Sequence, residues 1–339
     1  MVLPADRNSG AGPLRARFVR KGPYARARLA LLSGTALAGA AFCVTLAPTP
    51  ALACSSEPCT WTGAQDGSWS QGNNWSNGIP GTGDSVLLTN AGSAPANHDQ
   101  STAYSSVALN PNAAGYTINN NPIVLQSGGA ITDNNTAGGS PGDTFNTGLT
   151  LNGPATITLA TGAAGLTFAT NPITGTGPLT IINNSTASVT FAAANTYLGD
   201  TNINNGTVIV GADGGLPSST AVTVNSGATL SIADHVHETM GSLAGGGSVV
   251  IGPSAHDTAL RVGGTGASTT FSGAITGAGS LFIDGSGTLT LTGTGNNIGG
   301  DLDISACGCS VQAQIDGRLV RGRPRDHHRG RRARGEQRR

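Results

Sequence analysis

The sequence predicts an all-β chain in which many short strands stack on one another as a solenoid. Three observations carry that expectation. Charged residues make up only 11% of the chain and aromatics 4%, while Gly supplies 52 of 339 residues with no Gly-X-Y period. That combination leaves low complexity or a turn-dense β fold, and the Thr, Val, Ile and Leu recurring between the glycines favour strands over disorder. From about Val86 onward, runs of four or five residues alternate with period two between Gly, Asn, Ser and Pro turns, as in Ala155-Thr-Ile-Thr-Leu and Thr288-Leu-Thr-Leu-Thr. No amphipathic helix of three turns occurs between residues 54 and 304, which argues against βαβ units.

The N-terminal segment reads as an export signal. Arg15, Arg17, Arg20, Lys21, Arg26 and Arg28 precede the apolar run Leu29 to Leu46, and Ala51-Leu-Ala53 closes it. A basic region, an apolar core and an A-x-A site define a signal peptide over residues 1–53, excluded from the fold. The Gly- and Ala-diluted run is wrong for a stable membrane span. Cys54 follows the site directly and raises lipoprotein processing, although Pro50 and Ala51 fit that signal poorly.

Residues 54–85 form a distinct Cys/Trp-containing segment. Cys54 and Cys59 are close enough to close a small disulfide loop in an oxidising compartment. No CxxC pair and no Cys/His spacing suits zinc. Trp61, Trp69 and Trp75 cluster here and admit two readings. Large aromatics cover the first coil of a solenoid well, and they also offer platforms for glycan contact.

Residues 86–304 carry an internal repeat. Phe168, Ile173, Gly175, Gly177, Leu179 and Ile181 reappear as Phe271, Ile275, Gly277, Gly279, Leu281 and Ile283; Asn195, Gly199, Asp200 and Ile203 then reappear as Asn296, Gly300, Asp301 and Ile304. A period of about 100 residues holding several strand–turn units means stacked repeats. Each strand offers two or three apolar side chains, too few to bury alone. Successive coils must therefore stack, with strands ~4.8 Å apart and Gly or Asn at the tight corners.

The stretch Ser188 to Val210 resembles the autotransporter-associated β-strand repeat, whose pattern reads L-T-L-T-G-x-N-T-Y-x-G-x-T-x-I-x-x-G-T-L. The matches are Asn195-Thr-Tyr197, Gly199, Thr201, Ile203 and Gly206-Thr-Val208. A second copy, Gly285 to Gly293 with Asn296 and Gly300, lacks the tyrosine; Ser226 to Ile232 and Met240 to Val250 look like inter-repeat text. The resemblance covers roughly residues 160–304. It implies a right-handed parallel β-helix, and the passenger of a type V secretion system, displayed on or released from a Gram-negative cell. It also assigns structural roles to Asn195, Tyr197, Gly199, Ile203, Asn296, Gly300 and Ile304. Such proteins normally end in a membrane β-barrel, for which the chain leaves no room after Ile304. The resemblance therefore predicts a truncated passenger whose translocator is supplied elsewhere, or the exoprotein of a two-partner system.

Residues 305–339 differ from everything before them. Arginine goes from one in residues 54–304 to ten in residues 318–339. The segment reads as a disordered, Arg-rich tail. A shift of reading frame near Ala306 explains it, and a basic nucleic-acid- or lipid-binding tail is the functional alternative.

Charge and spacing narrow the function. Residues 54–304 hold 14 carboxylates against a single base, Arg261, a balance that repels phosphate backbones and anionic membranes. Neither nucleic acid nor stable membrane insertion of the mature chain is expected. His235 and His237 share one face if extended, a plausible metal pair, but Asp234 to Glu238 falls at a polar turn. The aspartates are scattered at turns, and Asp200 and Asp301 are equivalent repeat positions, which reads as a turn role rather than a paired-carboxylate centre. No catalytic, cofactor or metal residues are assigned. The expected role is structural and adhesive, toward a host or environmental glycan or protein surface, with a β-helix lyase or glycosidase as the alternative.

Overall fold

The computed structural model describes residues 53–89, 91–110, 115–136, 142–254, 257–305, 312–315 and 318–321. The expected signal peptide lies, Ala53 apart, outside the described residues. Among them the structure is strand and turn throughout, with one short 3₁₀ turn at Gly72–Asn74. Successive strands pair in parallel as coils of a β-solenoid.

Each coil presents up to three strand-bearing faces. In one coil these are Leu149–Leu151, Ala155–Leu159 and Leu166–Phe168; in the next they are Ile173–Gly175, Leu179–Asn183 and Ser188–Phe191. The period-two alternation sends every second side chain inward, and parallel register stacks like on like. The second face carries the inward column Val86, Val107, Ile131, Ile157, Ile181, Ile203 and Val224. The third carries Ile118, Phe145, Phe168, Phe191, Val210, Ile232 and Ile251. Phe145 and Phe168 stack with centroids 5.3 Å apart, and Phe191 follows at 5.8 Å from Phe168. All these residues are buried.

Corners are set by glycine and asparagine. Gly175 has φ +109°, and a Cβ there would lie 2.2 Å from the Leu151 carbonyl oxygen of the coil before; Gly277 has φ +120° and would meet Ile251 O at 2.1 Å. Asn195 and Asn296 are buried and act across coils. Asn195 Oδ1 accepts the Ile173 N–H at 2.7 Å and its Nδ2 donates to Gly215 O at 2.6 Å. Asn296 Oδ1 accepts the Ile275 N–H at 2.8 Å and its Nδ2 donates to Gly293 O at 3.0 Å. The carbonyls of Asp200 and Asp301 likewise accept the Leu179 and Leu281 N–H at 2.8 and 2.9 Å.

The repeat copies thus share the bond from the asparagine oxygen to the coil before and the bond from the aspartate carbonyl, yet they stand on different faces. Ile173 sits in the first-face column with Leu149, whereas Ile275 joins Val249 and Leu230 on the third face. The repeat advances by four coils and two faces. Its local geometry survives the rotation because every corner makes the same demand on the backbone.

Of the segment read as an Arg-rich tail, two short stretches are among the described residues. Gln312–Ile315 and Arg318–Arg321 are strands paired antiparallel, with Ala313 in register beside Leu291. Both are short runs with apolar residues among the polar ones, and an open ladder offers them backbone partners. The rest of residues 306–339 lies outside the described residues.

Replacing Asn195 with Ala would strand the Ile173 N–H in the core. The expected cost is about 1–3 kcal/mol, seen as a lower urea midpoint at unchanged slope. Asn296→Ala should cost a comparable amount. A pair of neutral results would remove the asparagines from the list of structural determinants.

Candidate functional site

The Cys/Trp segment does not present a site. Cys54 and Cys59 are joined by a disulfide, S–S 2.14 Å with Cα atoms 5.9 Å apart. Trp61 and Trp69 are fully buried and Trp75 is 4% exposed. Trp75 meets both others edge-on at 4.9 and 5.5 Å, and Trp69 packs on His98 and Tyr104. Their indole N–H groups donate to the carbonyls of Ser93, Pro95 and Trp69. The glycan-platform reading of Trp61, Trp69 and Trp75 is corrected by this packing. The rings have no free face, and each polar handle is already satisfied.

The family-motif residues are structural in the same sense. Tyr197 is buried with its hydroxyl 2.6 Å from Thr201 Oγ1, and Ile203 is buried in the second-face column. A Cβ at Gly199 would fall 2.3 Å from Pro178 N, and one at Gly300 2.5 Å from Ser280 Oγ. Ile304 is partly buried against the core.

Three buried carboxylates occupy positions where other coils place aliphatic or amide side chains. Asp133 is in register with Leu109 and Leu159, Asp143 with Leu166, and Glu238 with Leu260. Asp133 Oδ1 accepts the Asn135 N–H at 2.8 Å, and Asp143 Oδ1 accepts the Tyr116 N–H. Burial pushes both carboxyls above the usual carboxylate range, and the adjoining Asp143 raises Asp133 further. Glu238 is pushed up to about 8 by burial, against the pull of the Leu216, Gly215, Thr239 and Gly214 amides.

Above Glu238 lies the feature with the character of a binding site. On the outer side of the sheet formed by His237–Met240, Ala259–Val262 and Ser280–Asp284, a groove of about 340 Å³ is lined by His237, Thr239, Asp257, Arg261, Ser280 and Phe282, among others. Arg261 and Phe282 are register partners on adjacent strands, with the guanidinium carbon 4.8 Å from the ring centroid. Arg261 also pairs with Asp284. At the rim, His235 Nδ1 lies 2.7 Å from Asp257 Oδ2. That bond holds the imidazole pKa above its usual value and the carboxyl below its own. His235 takes φ +66°, and its backbone N–H donates to Thr258 Oγ1. The His237 N–H donates to Asp213 Oδ1 at 2.7 Å.

The two histidines therefore serve different roles. His235 is an exposed turn residue hydrogen-bonded to Asp257, and His237 opens a strand. Among the described residues, the one cluster with metal-ligand spacing is Cys54, Cys59 and Asp84, in which the disulfide already uses both sulfurs. Asp284 pairs with Arg261, and Asp257 Oδ2 lies 2.7 Å from His235 Nδ1. No helix among the described residues is long and apolar enough to cross a membrane.

Over 203 residues, 59% of its length, the chain is 32% identical to the adhesin BmaC autotransporter of Brucella suis biovar 1 (strain 1330). It is similar to an autotransporter adhesin. The match spans 6% of that relative's length. No family model matches the chain, and no solved structure does. The likeness and the parallel solenoid fit the passenger portion of such proteins.

Glu238 supplies a test of the core assignment. A carboxyl whose pKa is raised on folding holds its proton where the unfolded chain has lost it. Stability is then greatest below the ordinary carboxylate pKa and falls as pH rises toward about 8. Glu238→Gln should match the parent near pH 4 and exceed it at pH 8, read as thermal midpoints across that range. Equal slopes with pH would place Glu238 in water.

Proposed function

We propose that this chain is a passenger segment of an autotransporter-type adhesin, exported by its signal peptide to the outer surface or beyond it. Its role in this reading is structural and adhesive, with no catalysis, and its translocator is supplied outside residues 54–304. The observation that carries the proposal is the 32% identity to an autotransporter adhesin over 203 residues, and the parallel solenoid agrees with it. The physical properties agree. A solenoid whose core is a set of stacked columns holds its outer faces in fixed array without any cofactor, and its outward Thr, Asn and Ser positions keep it soluble. The acidic balance of residues 54–304 disfavours nucleic acid and anionic lipid as partners.

Deleting the gene in its own host tests this. The parent cells should carry the chain in a form cleaved by protease added outside, and the deletion should lower attachment to a host or abiotic surface several-fold. Retention of the chain inside the cell, or release of reducing or unsaturated sugars from polysaccharide by the purified chain, would overturn the proposal.

A further inference from the structure

Two singular residues of this molecule stand together. Between residues 54 and 304, Arg261 is the sole Lys or Arg. Among the described residues, Phe282 is the one aromatic side chain of Phe, Tyr or Trp type that is not buried. They are register partners on neighbouring strands and lie in contact, on the outer side of the sheet and in its groove. Elsewhere the outward strand positions carry hydroxyl columns, such as Thr144, Thr167 and Thr190 or Thr156 and Thr180, and aliphatic side chains such as Leu87, Val124, Ile182, Ile209 and Val250, but among the described residues no other Phe, Tyr or Trp. Nothing in the solenoid's own packing calls for a ring at an outward position, since the inward columns already fill the core.

We propose that this groove is a binding site for a neutral saccharide. The chemistry of the lining selects that class. A sugar hydroxyl donates and accepts at once, and the groove supplies both kinds of partner side by side. Arg261 donates, Asp257 accepts, and Ser280 and Thr239 do either. A pyranose also has an apolar C–H face, which the Phe282 ring and the aliphatic stem of Arg261 can cover. A polyanion is disfavoured, because Asp284 already neutralises Arg261 and the surrounding chain is acidic throughout. A cationic ligand would meet Arg261 at the centre of the groove. The volume, about 340 Å³, lies at the small end of the range for small-ligand pockets, roughly 300–1,000 Å³, which suits a short oligosaccharide.

The inference rests on the adhesive reading for its biological sense, but it can fail separately. The test uses the purified chain on an array of neutral oligosaccharides, with heparin fragments and basic peptides as the other arms. At least one neutral oligosaccharide should bind, and Arg261→Ala and Phe282→Ala should each weaken it tenfold or more. Thr167→Ala, on another face, should leave binding unchanged, and all three variants should keep the parent's circular dichroism and urea midpoint within the effect of a surface change. Phe282→Tyr, which keeps a ring, should retain most of the affinity and guards against misreading a folding defect. Binding to no neutral oligosaccharide, binding confined to heparin or peptide, or binding insensitive to both alanine variants would each overturn the site. Attachment of cells carrying Arg261→Ala at the parent level would do the same while leaving the adhesive role of the whole chain standing.

Discussion

The structure depends on parallel register between coils. A strand of three to five residues has two or three inward side chains and two unpaired edges, and it is stable only as the middle of a stack. In-register stacking solves both problems at once. Each strand's backbone groups pair with the coils above and below, and each inward residue meets its own equivalent. Val86, Val107, Ile131, Ile157, Ile181, Ile203 and Val224 form such a column, and β-branched side chains suit it because their restricted rotamers already fit a pleated surface. Everything else is subordinate to this alignment. Glycines such as Gly175 stand where a neighbouring coil's carbonyl comes within 2.2 Å of a Cβ position. Asn195 and Asn296 extend the ladder past the ends of the strands by lending a side-chain oxygen to a backbone N–H of the coil before.

The same alignment explains why the buried acids matter. Asp133, Asp143 and Glu238 stand at inward positions of strands, where each coil's neighbour supplies Leu. Water cannot reach them, so the neutral form is favoured, and the carboxyls act in the core as hydrogen-bonding groups more than as charges. Asn183, two coils beyond Asp133 in the same column, performs the corresponding turn contact as an amide: its Oδ1 accepts the Ser185 N–H at 2.9 Å, as Asp133 Oδ1 accepts that of Asn135. Residues 54–304 are therefore less negative at neutral pH than a count of carboxylates implies, and part of their stability is tied to pH.

Much of this was legible in the sequence, for identifiable reasons. Period-two alternation between Gly and Asn turns gave the strands. The recurrence of Phe168 to Ile203 as Phe271 to Ile304 gave the stacking, because equivalent corners make equivalent hydrogen bonds. The face on which each copy stands was not legible, since nothing local distinguishes one corner of a coil from another. The inward acids were readable in principle. Parity within Ala130-Ile-Thr-Asp133 and His237-Glu-Thr-Met240 puts Asp133 and Glu238 on the same side as Ile131 and Met240, a signal masked by the expectation that acids mark turns. The tryptophans left two readings open, a cover over the first coil and a glycan platform, and the long-range contacts to Ser93, Pro95 and Tyr104 show the rings closed.

The groove was the least legible feature, because it is made by register between strands about 20 residues apart. Arg261 is conspicuous in the sequence as a lone base, and Phe282 is one of several phenylalanines spaced like core residues. Parity alone separates it from the others. Phe145, Phe168, Phe191 and Phe271 fall on inward positions, whereas Phe282 lies between the inward Leu281 and Ile283. A solenoid gains nothing in its core from that placement and leaves an apolar ring half-buried at its surface. The exposure is offset only in part by the guanidinium stacked upon it, a contact worth about 0.5–1 kcal/mol at an exposed site. The rest of the described strand surface is built of Thr, Asn and Ser with scattered aliphatic side chains, and it presents no other Phe, Tyr or Trp ring. The interruption of that pattern, on one face and within three successive coils, is where selectivity can reside.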